Sequence, residues 1–574
     1  MFPNLTVQSI DAGRKRPVGT SRVIAILQCV AWAVVSCFAQ TGHPKLAPTP
    51  PMGWNDWAHY QCGFTADTIL DNARALVSTG LASAGYDTVT IDDCWMQKDR
   101  DANGDLQVDP KRFPNGMKPV SDAIHKLGLK FGIYEDSGSE TCGRFAGSGR
   151  PEGGGQSHFF EDARLFASWG VDYLKLDGCN VYVAPGETEE QAYRHAYAAE
   201  HEALEKVGRP IVFSESAPAY FQGTPEWYDV LSWVGKYGQL WREGTDIANY
   251  HAQPIPERFR RMFPQRTRYQ SMLWNYAYNQ PLGRFQKPGN WNDPDFIIAG
   301  DIGMSIPESR TQMTLWSMMS APLILSSDVG KLSPEALAIV GNKDVIAIDQ
   351  DPLGKMATLV RRTPQMDVLF KHLSSGDDAV AVMNHGESPA NVNLGPAELG
   401  FAADSACRLD AKDLWSGKAQ SGLSSLQAEV GPHDAAMWRI HPSSECGTAA
   451  RMGVITLITT NRRQRDIEGY TRCLAAPESV EPCAGTTAEL WTVTADGALR
   501  SSGGQCLAVV NGKPMLEACR AESAQIWHYT LKGNLVNNGS LDCLTAVGPE
   551  SQPQSLEMQV CGHNLATQIW SLPN

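Results

Sequence analysis

The sequence lacks the features of a nucleic-acid-binding or membrane-spanning protein. Its 574 residues carry a net charge of −14, and their basic run is limited to Arg14-Lys15-Arg16. This charge argues against nucleic acid as a partner. Beyond residue 39 there is no apolar run long enough to cross a bilayer, so we expect no transmembrane span.

Cofactor motifs are also missing. The cysteines show no CxxC spacing of the zinc type. The run Gly153-Gly154-Gly155 lacks the GK[ST] of a phosphate-binding loop, and no Gly-rich loop follows the first predicted strand. We therefore predict that the protein uses no metal and no cofactor.

The amino terminus is typical of an export signal. Basic residues between positions 14 and 22 precede the apolar run Val23–Val35, which is too short to span a membrane, and Cys37-Phe38-Ala39 offers a cleavage site. We predict a signal peptide at 1–39 and a secreted or periplasmic protein; the alternative is a lipoprotein anchored through Cys37. The remaining twelve of the 14 cysteines are then expected to form disulfides.

The length predicts several domains, and the pattern changes along the chain in three steps. Strand-like runs alternate with helical segments from Met52 to about Asp328, which predicts a (β/α)8 barrel at 47–350; a doubly wound sheet is the runner-up. Alternating apolar residues then predict an antiparallel β-sandwich at 355–442. The small-residue segment Ser443–Met452 is predicted to be an exposed linker.

The last segment, 454–574, contains a threefold repeat. Each unit has a Cys-Leu pair, a second cysteine, and a closing tryptophan, namely Trp491, Trp527 and Trp570. The second cysteine precedes the tryptophan by eight, eight and nine residues. This regularity resembles the ricin-type β-trefoil, whose units share a Q-x-W signature.

The stretch Val171–Cys179 carries the most unusual chemistry of the barrel region. Its strand ends in Asp177, and Lys175, two residues earlier, is expected to point the same way on a strand. A cation beside Asp177 would favour its ionised form, which suits a nucleophile. On this stretch alone, an acidic turn cap explains Asp177 equally well.

Several ordered motifs of the barrel region resemble glycoside hydrolase family 27, the α-galactosidases and α-N-acetylgalactosaminidases. They are Met52-Gly53-Trp54…Trp57, Ile91-Asp92-Asp93-Cys94-Trp95, Gly132-Ile133-Tyr134, Leu174–Cys179, Trp241-Arg242-x-x-x-Asp246, Trp291–Asp295 and Asp349–Pro352. The resemblance implies a retaining exo-α-galactosidase that acts on terminal α-linked galactose of oligosaccharides, polysaccharides or glycoconjugates through a covalent glycosyl-aspartate. It assigns Asp177 as nucleophile and Asp246 as acid/base, a pair of the kind that retaining glycosidases need.

The resemblance also implies a set of sugar-binding residues. Asp92 and Asp93 would accept hydrogen bonds from the 4- and 6-hydroxyls, and Trp57 would cover the apolar face of the sugar. The other expected substrate-binding residues are Tyr134, Lys175, Ser216, Ala219, Tyr220, Arg242 and Asp295. Because Ser216 and Ala219 are small, as in the N-acetylgalactosaminidases, that activity remains an alternative; a non-catalytic carbohydrate-binding protein is a second one.

The resemblances further imply five disulfides. The expected pairs are Cys62–Cys94, Cys142–Cys179, Cys473–Cys483, Cys506–Cys519 and Cys543–Cys561. Cys407 and Cys446 are the candidates for a sixth. Sugar-binding trefoil units usually read C-L-D, whereas here Ala475, Ala508 and Thr545 hold the acidic position, so glycan binding by the trefoil is only a possibility.

Overall fold

The computed structural model of the protein describes residues 46–247, 267–301, 303–402, 405–458 and 471–574. The predicted signal peptide at 1–39, with Cys37, lies outside these residues. Within the described ranges, none of the helices has the length and apolar character needed to cross a membrane.

Eight parallel strands form the first sheet. Their bounds are β1 Met52–Asn55, β2 Thr88–Ile91, β3 Lys130–Asp136, β4 Tyr173–Asp177, β5 Val212–Glu215, β6 Leu240–Arg242, β7 Trp291–Asp293 and β8 Leu323–Leu325. Neighbours in sequence are neighbours in the sheet, β8 pairs with β1, and Ile297 bridges Leu325 beyond β7. The order never reverses as it would in a doubly wound sheet, so the predicted (β/α)8 barrel is confirmed.

Helices lie between these strands. Their bounds are α1 Trp57–Tyr60, α2 Ala66–Ser78, α3 Leu81–Ala84, α4 Lys118–Lys126, α5 Phe159–Trp169, α6 Glu189–Val207, α7 Ala217–Phe221, α8 Trp227–Trp233, α9 Arg268–Asn279, α10 Ile306–Met319, α11 Pro334–Val340 and α12 Lys343–Asp349. The longest, α6, shows why the sequence starts and stops there. Thr188 and Gln191 form a reciprocal capping box at its start, and Gly208 adopts φ 70° at its end.

The next segment forms the predicted sandwich of antiparallel strands. Their bounds are β9 Thr358–Arg362, β10 Met366–His372, β11 Asp378–Asn384, β12 Ala390–Leu394, β13 Leu409–Asp413, β14 Ala419–Leu423, β15 Leu426–Val430 and β16 Ala435–Pro442. Six of them make one sheet, β14-β13-β16-β11-β10-β9, and β12 pairs with β15. Apolar side chains from both sheets share one core, as alternation along the strands predicts.

The described residues of the tail form thirteen short strands. They are β17 Met452–Val454, β18 Thr456–Ile458, β19 Thr471–Ala475, β20 Ser479–Pro482, β21 Leu490–Val493, β22 Leu499–Ser501, β23 Gln505–Val510, β24 Lys513–Ala518, β25 Trp527–Tyr529, β26 Leu535–Asn537, β27 Cys543–Val547, β28 Gln554–Gln559 and β29 Trp570–Ser571. The three repeat tryptophans share one buried core, and each donates its indole N–H to the leucine carbonyl of its own Cys-Leu pair over 2.8–3.0 Å. The threefold repeat of the sequence therefore corresponds to the same tryptophan-to-leucine hydrogen bond in each unit.

Most residues of Ser443–Met452 are exposed, as the composition predicts for a linker, but the segment is bound to the domains on both sides. Cys446 is buried and forms a disulfide with Cys407. The N–H of Ala450 donates to Gly400 of the sandwich over 2.7 Å, and Met452 already pairs with β21 of the tail. These contacts tie the exposed linker to the sandwich and to the tail.

Candidate active site

The carboxylate of Asp177 lies at the carboxyl end of β4, held by neutral donors. The hydroxyl of Tyr220 donates to Oδ1 over 2.6 Å, and the N–H of Gly178 donates to the same oxygen over 2.9 Å. The hydroxyl of Tyr134 faces Oδ2 at 3.3 Å. Burial and the charge of Asp177 raise the pKa of both tyrosines well above the ordinary value, so they remain donors.

The ammonium of Lys175 does not bond Asp177, although the two side chains share a face of β4. It donates to Oδ2 of Asp92 over 2.6 Å and lies 5.0 Å from the ring centre of Tyr134. Burial acts to lower the pKa of Lys175, but the charges of Asp92 and Asp177 outweigh it and raise that pKa. Asp92 also accepts from the side-chain amide of Asn55 over 2.7 Å, so two side chains of the protein hold it.

Asp93 is buried beside this pair, and backbone donors hold it. The N–H of Cys94 donates to Oδ1 over 2.6 Å, and the N–H of Gly143 donates to Oδ2 over 2.8 Å. Burial raises the pKa of Asp93 to about 6, against the lowering effect of these two donors. Its protonation therefore changes in a range where an enzyme can operate.

Asp246 lies four residues beyond β6, on the other side of β5 from Asp177. Its Oδ1 accepts from Nη2 of Arg242 over 3.0 Å, and 66% of its side chain is exposed. The other guanidinium nitrogen, Nη1, lies 3.1 Å from Oδ1 of the buried Asp295. Arg242 thus holds one exposed and one buried carboxylate together.

Asp295 is bound closely to the protein itself. Its Oδ2 accepts from the N–H of Ile247 over 2.7 Å, its Oδ1 accepts from the N–H of Phe296, and its backbone has φ 86°. Burial raises the pKa of Asp295 to about 6, although Arg242 acts to lower it. A non-glycine residue in this left-handed conformation is rare and is found where surrounding contacts fix it.

The remaining predicted sugar-binding residues come from two short helices. Trp57 begins α1, is half-buried, and donates its backbone N–H to the side-chain oxygen of Asn55 over 2.8 Å. Ser216 precedes α7 and is buried, while Ala219 and Tyr220 lie on α7 and are partly exposed.

Two further carboxylates, which were not predicted as site residues, bind backbone groups next to the residues of the site. Asp136, at the end of β3, accepts from the N–H groups of Gly138 and Cys179 over 2.7 and 3.1 Å. Asp56 accepts from the N–H of Asp92 over 2.7 Å. Burial, then the charge of Asp177 for Asp136 and of Asp92 for Asp56, raises both pKa values well above the ordinary range. Asp136 could have been found, because it shares a strand face with Tyr134.

Two disulfides lie beside the site. Cys62–Cys94 and Cys142–Cys179 are both present, as are the three predicted pairs of the tail and the sixth pair, Cys407–Cys446. Asp136, Cys142, Asp177 and Cys179 come within 4.8 Å of one another. The two sulfurs of this group are bonded to each other, so they are not thiolate ligands for a metal.

Family comparisons divide the chain in the same way as the fold. The model of the alpha galactosidase A family matches residues 49–351, that of the alpha galactosidase C-terminal beta sandwich domain matches 363–440, and that of the ricin-type beta-trefoil lectin domain matches 466–570. The probable alpha-galactosidase A of Aspergillus clavatus is 37% identical, over 93% of this chain and 96% of its own length. The alpha-galactosidase A of Aspergillus niger is 36% identical over 97% of both chains.

Solved structures of alpha-galactosidases resemble a large part of this chain. Alpha-galactosidase I of Mortierella vinacea is 29% identical with a TM-score of 0.59, over 71% of this chain and 99% of that one. An alpha-galactosidase of Saccharomyces cerevisiae is 27% identical with a TM-score of 0.58, over 69% of this chain and 98% of that one.

Proposed function

The chain belongs to the alpha galactosidase A family and is a retaining α-galactosidase, and we propose that Asp177 and Asp246 are its two catalytic carboxylates. The observation that carries this assignment is the setting of Asp177. Its carboxylate ends a barrel strand, where such enzymes place their sites, and its hydrogen-bond donors are two hydroxyls and one backbone N–H. Neutral donors orient a carboxylate without neutralising it, which suits a nucleophile.

In the first step, an oxygen of Asp177 attacks the anomeric carbon of the terminal galactose while the bond from that carbon to the leaving oxygen breaks. Asp246, in its acid form, gives its proton to the leaving oxygen. The products are a galactosyl-aspartate ester and a free alcohol. The exposed position of Asp246 leaves room for varied leaving groups.

In the second step, the carboxylate of Asp246 takes a proton from water as that water attacks the anomeric carbon. The ester bond to Asp177 breaks, and galactose leaves with its original α configuration. Tyr134 and Tyr220 hydrogen-bond the carboxylate of Asp177 again as it is released.

We propose that the buried acids and Trp57 hold the sugar. Asp92 and Asp93 have lone pairs beyond those used by the protein and would accept hydrogen bonds from the sugar hydroxyls, while Lys175 fixes the position of Asp92. Tyr134, Tyr220, Arg242 and Asp295 complete the polar wall.

The substituent at carbon 2 of the sugar is the open point of specificity. Ser216 and Ala219 are small, and this observation favours α-N-acetylgalactosaminidase as a second activity. Purified protein should release p-nitrophenol from the α-galactoside at a kcat/KM well above that for the α-N-acetylgalactosaminide. The reverse order would replace galactose by N-acetylgalactosamine in this proposal, and release from neither glycoside by folded protein would refute it.

We propose that the chain has a signal peptide at 1–39, a catalytic barrel at 47–350, a sandwich at 355–442 and a trefoil at 454–574. Six disulfides favour an oxidising compartment, so we propose that the protein is secreted or periplasmic. Glycan binding by the trefoil is the weakest part of the proposal. Ala475, Ala508 and Thr545 are buried, and the hydroxyl of Thr545 already bonds Gln568 and the carbonyl of Cys543.

A further inference from the structure

Helix α8 lies between the trefoil and the chain segment that carries Asp246. Its first residue, Trp227, is buried and donates its indole N–H to the carbonyl of Glu243 over 2.8 Å. Glu243 directly follows β6 and precedes Asp246 by three residues. Two positions further along the helix, Asp229 contacts the trefoil. One short helix therefore touches both the loop of Asp246 and the tail.

Three side chains of the third trefoil unit converge on the carboxylate of Asp229. Nδ2 of Asn564 lies 2.7 Å and Nε2 of His563 lies 3.0 Å from its Oδ2, and the ammonium of Lys532 bonds its Oδ1. The side chain of Asp229 is only 20% exposed. A largely buried carboxylate needs partners that replace its lost hydration. Loss of these partners should therefore shift the side chain of Asp229.

A second contact joins the trefoil to the same region of the barrel. Arg284, in the 3-10 turn after α9, donates Nε to the carbonyl of Leu531 over 2.7 Å. Its guanidinium lies 5.9 Å from the ring centre of Tyr228 on α8 and 5.7 Å from that of Tyr529 in the trefoil. The trefoil therefore packs against α8 at two points.

The loop of Asp246 depends on its surroundings for its position. The N–H of Thr245 donates to the side-chain oxygen of Gln222, and the carbonyl of Thr245 accepts from the side chain of Asn275, both over 3.1 Å. The bond from Trp227 adds a third fixed point. The bond from Arg242 orients the carboxylate of Asp246, and these three contacts fix the backbone of the loop that carries it.

We propose that the trefoil acts as a brace for the acid/base loop, and that Asp229 is a positioning residue for Asp246. The contacts run from Lys532, through Asp229 and Trp227 of α8, to the loop. This inference rests on the proposed role of Asp246. It gives the trefoil a part in catalysis that needs no glycan.

The test uses the full chain and compares Asp229→Ala and Lys532→Ala with the wild type. An acid misplaced by a small distance slows cleavage of poor leaving groups, which need the proton, and leaves activated ones unaffected. For an alkyl α-galactoside we expect kcat/KM to fall by roughly 3- to 10-fold in each variant, the range expected when one contact in a coupled network is removed. For 2,4-dinitrophenyl α-galactoside we expect no change. The double variant should be no worse than Asp229→Ala, since Asp229→Ala already removes the contact with Lys532.

Asp344→Ala is the matched control. Asp344, on α12, forms an ion pair of 2.7 Å with Lys412 of the sandwich, so it also joins the barrel to another layer but lies away from the acid/base loop. This variant should keep the wild-type kcat/KM for both substrates. The brace is refuted if Asp229→Ala and Lys532→Ala lower kcat/KM equally for both substrates. It is also refuted if they lower the melting temperature and leave kcat/KM unchanged. If Asp229→Ala fails to fold, Lys532→Ala alone decides the matter. A failure of the proposed function would look different, because Asp246→Ala itself would then show no dependence on the leaving group.

Discussion

The two carboxylates that we propose as catalytic are held in opposite ways. Asp177 ends a central strand and is fixed by residues of β3, β4 and α7, with the disulfide Cys142–Cys179 one turn away. Asp246 ends a loop and is fixed by one arginine and by helices that also contact the sandwich or the trefoil. The surroundings of Asp177 therefore form a locally built side of the site. Those of Asp246 form a side built over long distances along the sequence.

This difference follows the chemistry of the two groups. A nucleophile must meet one carbon atom within a few tenths of an ångström, which a strand end and a covalent closure can guarantee. An acid/base must serve leaving groups of many shapes and exchange protons with water, which an exposed loop permits. The comparison predicts that changes on the first side lower the rate for all substrates, whereas changes on the second side discriminate between them.

The largest expected effect is that of Asp177→Ala. Without the carboxylate no ester can form, and turnover of every galactoside should fall by roughly 10⁴-fold or more, as when other covalent catalysts lose their nucleophile. Azide should restore part of the activity and give the β-galactosyl azide, because it attacks from the side that the carboxylate has vacated. Asp71→Ala, an exposed change on α2, should keep wild-type rates. Substantial activity in the Asp177 variant would show that another group is the nucleophile.

Asp246→Ala should have the next largest effect, and an uneven one. Removing a general acid costs about 10²- to 10⁴-fold where the proton is needed. We expect this loss in kcat/KM for alkyl galactosides and nearly none for 2,4-dinitrophenyl α-galactoside. The slope of log(kcat/KM) against leaving-group pKa measures the difference. An equal loss for both substrates would remove Asp246 from the role of acid.

Two disulfides of similar loop length allow a matched test of the locally built side. Cys142–Cys179 closes a separation of 37 residues beside Asp177, and Cys407–Cys446 closes one of 39 residues in the sandwich. Replacing either pair by serine should cost about 2–5 kcal/mol of stability. Only the first replacement should also lower kcat, by roughly 10- to 100-fold, because Asp177 would lose its fixed position.

Assays well below the melting temperature of both serine variants separate this effect from unfolding. Equal kcat values in the two variants would mean that hydrogen bonds alone position Asp177. A fall in the sandwich variant as well would show that the sandwich contributes to the site.

Much of the locally built side could be predicted from the sequence. Alternation and length located all eight barrel strands, and the face shared by Lys175 and Asp177 follows from the two-residue period of a strand. The partner of Lys175 could not be predicted, because Asp92 approaches it from β2, 83 positions earlier. Asp56 was missed for the same reason, since its bond to Asp92 forms only when β1 and β2 are in register. Asp136 was missed although the face it shares with Tyr134 is visible in the sequence.

Most contacts on the side built over long distances could not be predicted from the sequence. Nothing near Asp229 in the sequence points to Lys532 or Asn564, which are more than 300 positions later. The contacts of the exposed linker Ser443–Met452 were hidden as well. Its composition predicted exposure, but it did not show that Cys446 would be buried or that Ala450 would bond Gly400.

The smallest expected effect concerns pH and the buried acid Asp93. Burial raises its pKa to about 6, above the ordinary value near 4, so the free enzyme protonates Asp93 as the pH falls through 6. A protonated carboxyl has one acceptor fewer, whereas the ionised form can accept from a sugar hydroxyl. Binding of galactose should therefore strengthen as the pH rises through 6.

Between pH 5 and pH 7 the ionised fraction of a group with a pKa of about 6 rises about tenfold, so the inhibition constant of galactose should fall by up to that factor. Asp295 shares this pKa, but its carboxylate already accepts from Arg242, Ile247 and Phe296, so it should add little. Asp93→Asn is the control. It should weaken the binding of galactose at pH 7 and remove most of the dependence of its inhibition constant on pH. If Asp295 set the profile instead, Asp93→Asn would keep the slope and Asp295→Asn would remove it. Competitive inhibition by galactose, measured from pH 4.5 to 7.5 in the three proteins, separates these outcomes.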